Sequence, residues 1–467
     1  MSSQSRGALY PILLSLTLVW WGCSDEPDPT VPVFESDRPD VSWLQANAFA
    51  FDSPEAETGF ADLEPLREII GDARIVSLGE GTHGTREFFQ MKHRLLEFLV
   101  KEMGFNTFAI EATWPESHLV NDYVLTGEGD PASLLAGLYF WTWNTQEVLD
   151  QILWMRQHNE NPGDAPRVKF FGFDMQFPLM AIGNVVSYLE VVDPDFAITA
   201  SEEYDCYRRS WSNYDNLSSL DRTLCGIAVK GVHDSIRVRE SDYLLFSSQE
   251  AYTLALQNAR IVVQNEDYKR GGGAAVRDRY MAENADWLLE QEGADAKIVL
   301  WAHNGHVGDQ RSGSWVSMGH HLRVAHGDDM VAVGFAFNQG SFTAYEGNAD
   351  GSLGPLKSHS VGPTTRNSYE RYFSEAGLPR FILDLRPVFT DTSPEGVWMN
   401  GPQEFRSIGS VYRPSSPEVY FSPTYLPQVY DAVVFFESTT ASRLLPPYSS
   451  QSRPLDNRLI RAAPFPN

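Results

Sequence analysis

Six side chains suited to acid–base or ligand chemistry stand at the ends of short apolar runs. Glu80 and His83 lie three apart in L-G-E-G-T-H-G, residues 78–84. Glu111 and Asp174 each follow a β-rich run, and His303 and His306 share the loop H-N-G-H. An imidazole beside a carboxylate is the arrangement of a general base, because the carboxylate orients the ring and raises its basicity. Two histidines in a four-residue loop can polarise a carbonyl, stabilise an oxyanion or hold a metal. Glu111, at a strand end next to Glu80, can share hydrogen bonds with His83 or position a water. Asp174 serves a substrate site or simply bonds nearby backbone amides.

The stretch Gly79-Glu80-Gly81-Thr82-His83-Gly84 is also, letter for letter, the G-x-G-x-x-G of a dinucleotide loop. Its chemistry argues otherwise, since Glu80 would project toward a doubly anionic pyrophosphate. The glycines read more simply as a tight turn with positive φ that presents Glu80 and His83. No G-x-S-x-G occurs in the chain, so a serine nucleophile elbow is absent. Cys206 and Cys225 stand far from the strand ends. Water is left as the nucleophile, activated by a base or a metal.

The elements that must position these groups are legible. Runs at 74–78, 106–110, 168–173, 297–302, 330–337, 381–385 and 430–436 are apolar on both faces, the pattern of a parallel sheet covered by helices. A helix is predicted from Arg86 to Met103, capped by Thr85, with Phe88, Met91, Leu95, Phe98 and Leu99 inward and Gly104 as its stop. Thr145 caps another. Residues 181–296 carry helical periodicity and little strand pattern, and read as a helical insertion lobe. The fold class is α/β, a mostly parallel central sheet flanked by helices. In such sheets ligands bind beyond the carboxyl ends of the strands, where all six candidates fall.

Bulk properties narrow the function. The chain has 467 residues and a formal charge of −26, which repels phosphate backbones and argues against nucleic acid as a partner. The apolar segment Leu9–Trp21 before Gly22-Cys23 is too short to span a bilayer and resembles a lipoprotein signal, residues 1–23. Lipidation at Cys23 would anchor the protein to the cell envelope, on its periplasmic or extracellular face; plain secretion or an uncleaved anchor is the alternative. Residues 24–40 are Pro/Asp-rich and read as a tether, leaving 41–460 for a catalytic domain. Outside the cytoplasm Cys206 and Cys225 either pair or remain as two buried thiols.

Together, LGEGTHGTREFFQMKHRLLEFLVKEMGFNTFAIEA, WTWNTQEVLDQILWMRQHN, FFGFDMQ, RDRYMAENADWLL and WAHNGHV resemble the erythromycin esterase family, which also includes succinoglycan biosynthesis-like members. The resemblance runs from about residue 60 to 440. It implies an ester or macrolactone hydrolase that needs no cofactor, with His83 as the base on water and Glu80, Glu111, His303 and His306 around it. The family's arginine nine residues after the base falls on Lys92, which keeps the charge but loses the planar fork. Arg277, Asp278 and Asn284 match a family segment on the lobe, and with Lys92 and Asp174 are expected to line the substrate site. The expected substrate is a small-molecule ester or lactone, macrolide antibiotics included. Two other readings of the same cluster are a metal-dependent hydrolase or metal carrier and a non-catalytic envelope binding protein.

Overall fold

The structure is a computed structural model that describes residues 39–210, 214, 216–364 and 367–446. Cys23, the signal-like segment, the tether up to residue 38 and the end of the expected catalytic domain lie outside the described residues. No described helix is long and apolar enough to cross a membrane.

Each apolar run forms a strand of one mixed sheet: β1 (Ile75–Leu78), β2 (Thr107–Thr113), β3 (Lys169–Asp174), β4 (Ile298–Trp301), β5 (Met330–Gly347), β6 (Arg380–Asp384) and β7 (Ala432–Thr439). Their order across the sheet is β6-β7-β5-β1-β4-β2-β3, with a short strand, Ala48–Ala50, outside β6. From β7 to β3 every neighbouring pair is parallel, whereas β6 runs antiparallel to β7. Glu111 lies inside β2 rather than beyond it, because β2 continues to Thr113 past an irregularity in its pairing with β3.

The crossovers are helices whose apolar faces cover the sheet. Helix α1 (Arg86–Met103) buries Phe88, Met91, Leu95, Phe98 and Leu99, at about 1.5–3 kcal/mol per fully buried side chain, and stops at Gly104 with φ 74°. Thr85 takes the N-cap position, but its hydroxyl pairs with Thr82 Oγ1 at 2.5 Å instead of the helix backbone. Helices α2 (Trp114–Thr126) and α3 (Gln146–Glu160) follow, the latter capped by Thr145 Oγ1 accepting from Val148 N.

Between β3 and β4 the described chain is helical, including α4 (Leu179–Val192), α5 (Ser219–Val238), α6 (Gln249–Asp267) and α7 (Gly273–Glu292). Cys206 and Cys225 are disulfide-bonded, Cα atoms 5.7 Å apart, tying the helix Asp205–Ser210 to α5. Helix α7 returns to the sheet: Asn284 Nδ2 donates to the Phe173 carbonyl at 3.0 Å. That contact holds the start of α7, which carries Arg277 and Asp278, over the ends of β2 and β3.

Candidate active site

The turn after β1 is shaped by close packing. Gly79, Gly81 and Gly84 all lack positive φ, so the expectation of a left-handed turn is corrected. A Cβ at Gly79 would lie 2.2 Å from Asn304 Oδ1, and one at Gly84 2.2 Å from the Thr343 carbonyl. The glycines let the β1 turn press against the β4 turn on one side and β5 on the other. The Asn304 amide completes the join by donating to the Phe335 carbonyl at 2.8 Å.

Glu80 is wholly buried at this join. Its Oε2 accepts from Lys92 Nζ at 2.8 Å and Trp301 Nε1 at 2.7 Å, and its Oε1 meets His83 Nδ1 at 2.7 Å. Burial opposes ionisation, but the Lys92 charge and the His83 hydrogen bond outweigh it and hold Glu80 down at about 2. An ionised Glu80 can only accept, so Nδ1 of His83 carries a proton toward it, and in the neutral ring Nε2 holds the lone pair. That Nε2 has no hydrogen-bond partner among the described residues, and the His83 side chain is 14% exposed. Lys92 itself faces Glu80 and the Trp301 ring, 4.3 Å away, and is fully buried beneath the site. Burial pulls its ammonium down to about 8 against the attraction of Glu80.

Across the same edge lies a second network, built around Arg277. Its Nη2 donates to Glu111 Oε1 at 2.6 Å and to Asp174 Oδ2 at 2.7 Å, and its Nη1 lies 3.0 Å from His306 Nε2. Glu111 Oε2 accepts the backbone N–H of His303 at 3.0 Å. Burial again opposes charge on Glu111, but His306 and Arg277 hold it well below the usual carboxylate range. For His306 burial favours the neutral ring, while Glu111 and Asp278 more than offset this and raise its proton affinity.

His303 bridges the two networks through its ring. Its centroid is 4.9 Å from that of His83 and 6.5 Å from that of His306. Both its nitrogens are engaged: Nδ1 accepts from Gly305 N at 3.2 Å, capping the short helix Asn304–Val307, and Nε2 lies 3.2 Å from the Ile408 carbonyl. Burial and the neighbouring His83 and His306 charges push its pKa down to about 3, so the ring is neutral at neutral pH.

Of the residues expected from sequence, the fold thus gathers Glu80, His83, Glu111, Asp174, Arg277, His303 and His306 at one edge. Lys92 stands behind Glu80. Asn284 stands beneath the site, bonded to Phe173, Gln257 and Gln264. Sequence reasoning gave no role to Trp301, whose indole N–H in a strand buried on both faces was itself a signal that a buried acceptor exists. It also missed Trp143, T-shaped to His83 at 6.4 Å, and Trp315. Among the described residues no group of three or more His, Cys, Asp or Glu is arranged to hold a metal ion. The carboxylates are turned toward Lys92, Arg277 and ring or backbone N–H groups.

Comparison with known proteins bears on the family and the fold. The family model for erythromycin esterase matches residues 100–439, most of the chain. The chain belongs to the erythromycin esterase family. Erythromycin esterase type II of Escherichia coli is 23% identical over 437 residues, covering 86% of this chain and 98% of that protein. A crystal structure of a Bacillus cereus protein superposes with TM-score 0.76 at 26% identity, over 86% of this chain and 98% of that one. An erythromycin esterase mutant in its open conformation shares the fold at TM-score 0.66 and 17% identity, over 84% and 96% of the two chains. Membership makes the chain a relative of hydrolases, and its mostly parallel sheet with flanking helices is the fold of that group.

Proposed function

We propose that this protein hydrolyses carboxylic esters or lactones with His83 as the general base on water. The observation that carries the reading is the Glu80–His83 pair. A buried, ionised carboxylate fixes the ring proton on Nδ1 and leaves Nε2 without a partner among the described residues, on a partly exposed side chain whose ring lies 4.9 Å from that of His303. Nε2 takes a proton from water as the oxygen attacks the carbonyl carbon, and Glu80 stabilises the imidazolium that forms. Arg277, held in place by His306 Nε2, Glu111 and Asp174, supplies positive charge and N–H donors for the oxyanion, where preorganised dipoles are worth most. The proton on His83 then passes to the leaving alkoxide. His303 packs its ring against that of His83 at a 46° tilt, and Lys92 compensates Glu80 during the cycle.

The relatives named for erythromycin make a macrolactone the first substrate to test. The apolar segment Leu9–Trp21 before Cys23 supports export and lipid attachment at the cell envelope, and the Cys206–Cys225 disulfide fits an oxidising compartment. An envelope ester is therefore the second substrate class. The test is incubation of the purified protein with erythromycin and a panel of simple esters, followed by mass spectrometry. A gain of one water that disappears in His83→Ala supports the proposal. Full turnover by His83→Ala on a confirmed substrate overturns it.

A further inference from the structure

We infer that Asp278 is a positioning residue that sets which nitrogen of His306 bears the ring proton. Asp278 is fully buried at the start of α7, one residue after Arg277. Its Oδ1 lies 2.7 Å from His306 Nδ1 and accepts from Met318 N at 2.8 Å; its Oδ2 accepts from Trp315 Nε1 at 3.0 Å. Met318 N–H and Trp315 Nε1–H can only donate, so both oxygens of Asp278 are committed as acceptors. The ring nitrogen facing Oδ1 must then carry the hydrogen. On the opposite side of the ring, Arg277 Nη1 stands 3.0 Å from Nε2 and can only donate, which requires a lone pair there. Two independent contacts therefore select the same tautomer, Nδ1–H with Nε2 as acceptor.

The other charged groups near this ring are compatible with that state. Glu111 Oε1 is 3.4 Å from Nε2 but already accepts from Arg277 Nη2, and His303 is held neutral. Asp174 faces Arg277 rather than the ring. His83 and His306 thus share one construction: a buried carboxylate on Nδ1 and an Nε2 toward the reaction site. The first has a free lone pair; the second has its lone pair covered by a guanidinium. On the hydrolytic reading proposed above, this difference gives them different tasks. His83 takes the proton from water. His306 with Arg277 forms a polar clamp whose hydrogen positions are fixed before substrate arrives. Trp315, on the small hairpin that pairs Arg311–Ser312 with Trp315–Val316, attaches that hairpin to the same carboxylate.

The test uses the full-length protein labelled with ¹⁵N-histidine, with His306 resonances assigned by their loss in His306→Gln. In the wild type, at a pH high enough for the ring to be neutral, His306 is expected as the Nδ1–H tautomer, and an Nε2–H tautomer overturns the inference whatever the catalytic activity. In Asp278→Asn the amide N–H₂ must face donors, either Nδ1 with Met318 N or Trp315 Nε1, so the anchor on Nδ1 is weakened and the Nε2–H share of the ring is expected to rise. Replacing the orienting carboxylate of a histidine by its amide lowers kcat by about 10⁴ in a well-studied hydrolase mechanism for this reason. Here kcat on a confirmed ester should fall roughly 10²- to 10⁴-fold with KM changed far less. An unchanged tautomer in folded Asp278→Asn reduces Asp278 to a structural role and overturns the inference. If Asp278→Asn does not fold, the wild-type spectrum and Asp278→Glu decide: retention of Nδ1–H in both supports it, and Nε2–H in either refutes it. Absence of any ester turnover would sink the proposed function but leave the spectroscopic result standing.

Discussion

Lys92 Nζ and Glu80 Oε2 form a 2.8 Å ion pair in which neither side chain has any solvent exposure. The pair is sealed by the Trp301 ring and supports the base from behind. Removing one partner of a buried pair leaves an uncompensated charge, at a cost of about 3–5 kcal/mol. Lys92→Met is therefore expected to lower the urea midpoint markedly without adding or removing a group at the solvent-reachable face of the site. A midpoint within error of the wild type would show that Glu80 is neutral in the folded protein.

His83→Gln preserves the approximate shape of the ring and can still donate to Glu80. It should leave Tm nearly unchanged while reducing kcat by about 10² to 10⁴. The decisive comparison is calorimetry alongside ester turnover in the same preparation. A large stability loss with modest kinetic change would reassign His83 to packing.

Glu116 offers a pH test away from the chemistry. Burial without a partner for either oxygen raises its pKa from 4.5 to about 8. The folded state holds a proton that the unfolded chain releases near 4.5. The associated stability is complete below pH 4.5, falls as pH rises, and is gone above about 8. Glu116→Gln should flatten this slope, so that its advantage over the wild type grows between pH 5 and pH 8, by an amount on the order of 3 kcal/mol. Parallel urea curves at the two pH values measure it, and equal slopes for both proteins would contradict the buried neutral carboxyl.

The disulfide joins cysteines 19 positions apart. A loop of that size restricts the unfolded chain by about 3 kcal/mol. Cys206→Ser/Cys225→Ser, or dithiothreitol, should lower Tm by several degrees. The proposed catalytic residues in the turns after β1 and β4 should stay assembled, so ester turnover at low temperature should persist. Simultaneous loss of turnover would mean that the lobe controls access to the site.

The sequence revealed the sheet and the gathering of the site through the same physical signal. A strand buried on both faces needs a continuous apolar run, and a polar residue ending such a run reaches an edge. That logic placed Glu80, Asp174 and His303 well, and Glu111 within two residues of its strand end. It failed where partners come from far along the chain. The glycines of the first turn were read as conformational, but they are required by atoms of Asn304, Phe335 and Thr343, which no local pattern reveals. Lys92 was expected to meet substrate because it falls on the position of the family's arginine. Its burial is dictated by the inward face of α1, a periodicity that was visible at Met91 and Leu95 but overridden by residue type. The commitment of both His303 nitrogens was equally hidden, since it depends on a backbone carbonyl at Ile408.

The pairing of β1 with β4 has an evolutionary corollary. These two strands are hydrogen-bonded neighbours, and the turns that follow them carry His83 and the His303/His306 pair. Yet β2, β3 and the disulfide-tied helices are all threaded between them in the chain. Extra turns, replaced loops or remodelled surfaces in that intervening stretch leave the spacing of the imidazoles untouched. On the hydrolytic reading proposed above, such a layout lets a lineage exchange one ester for another by redrawing the lobe away from Arg277 and Asp278, while the imidazoles are inherited in place.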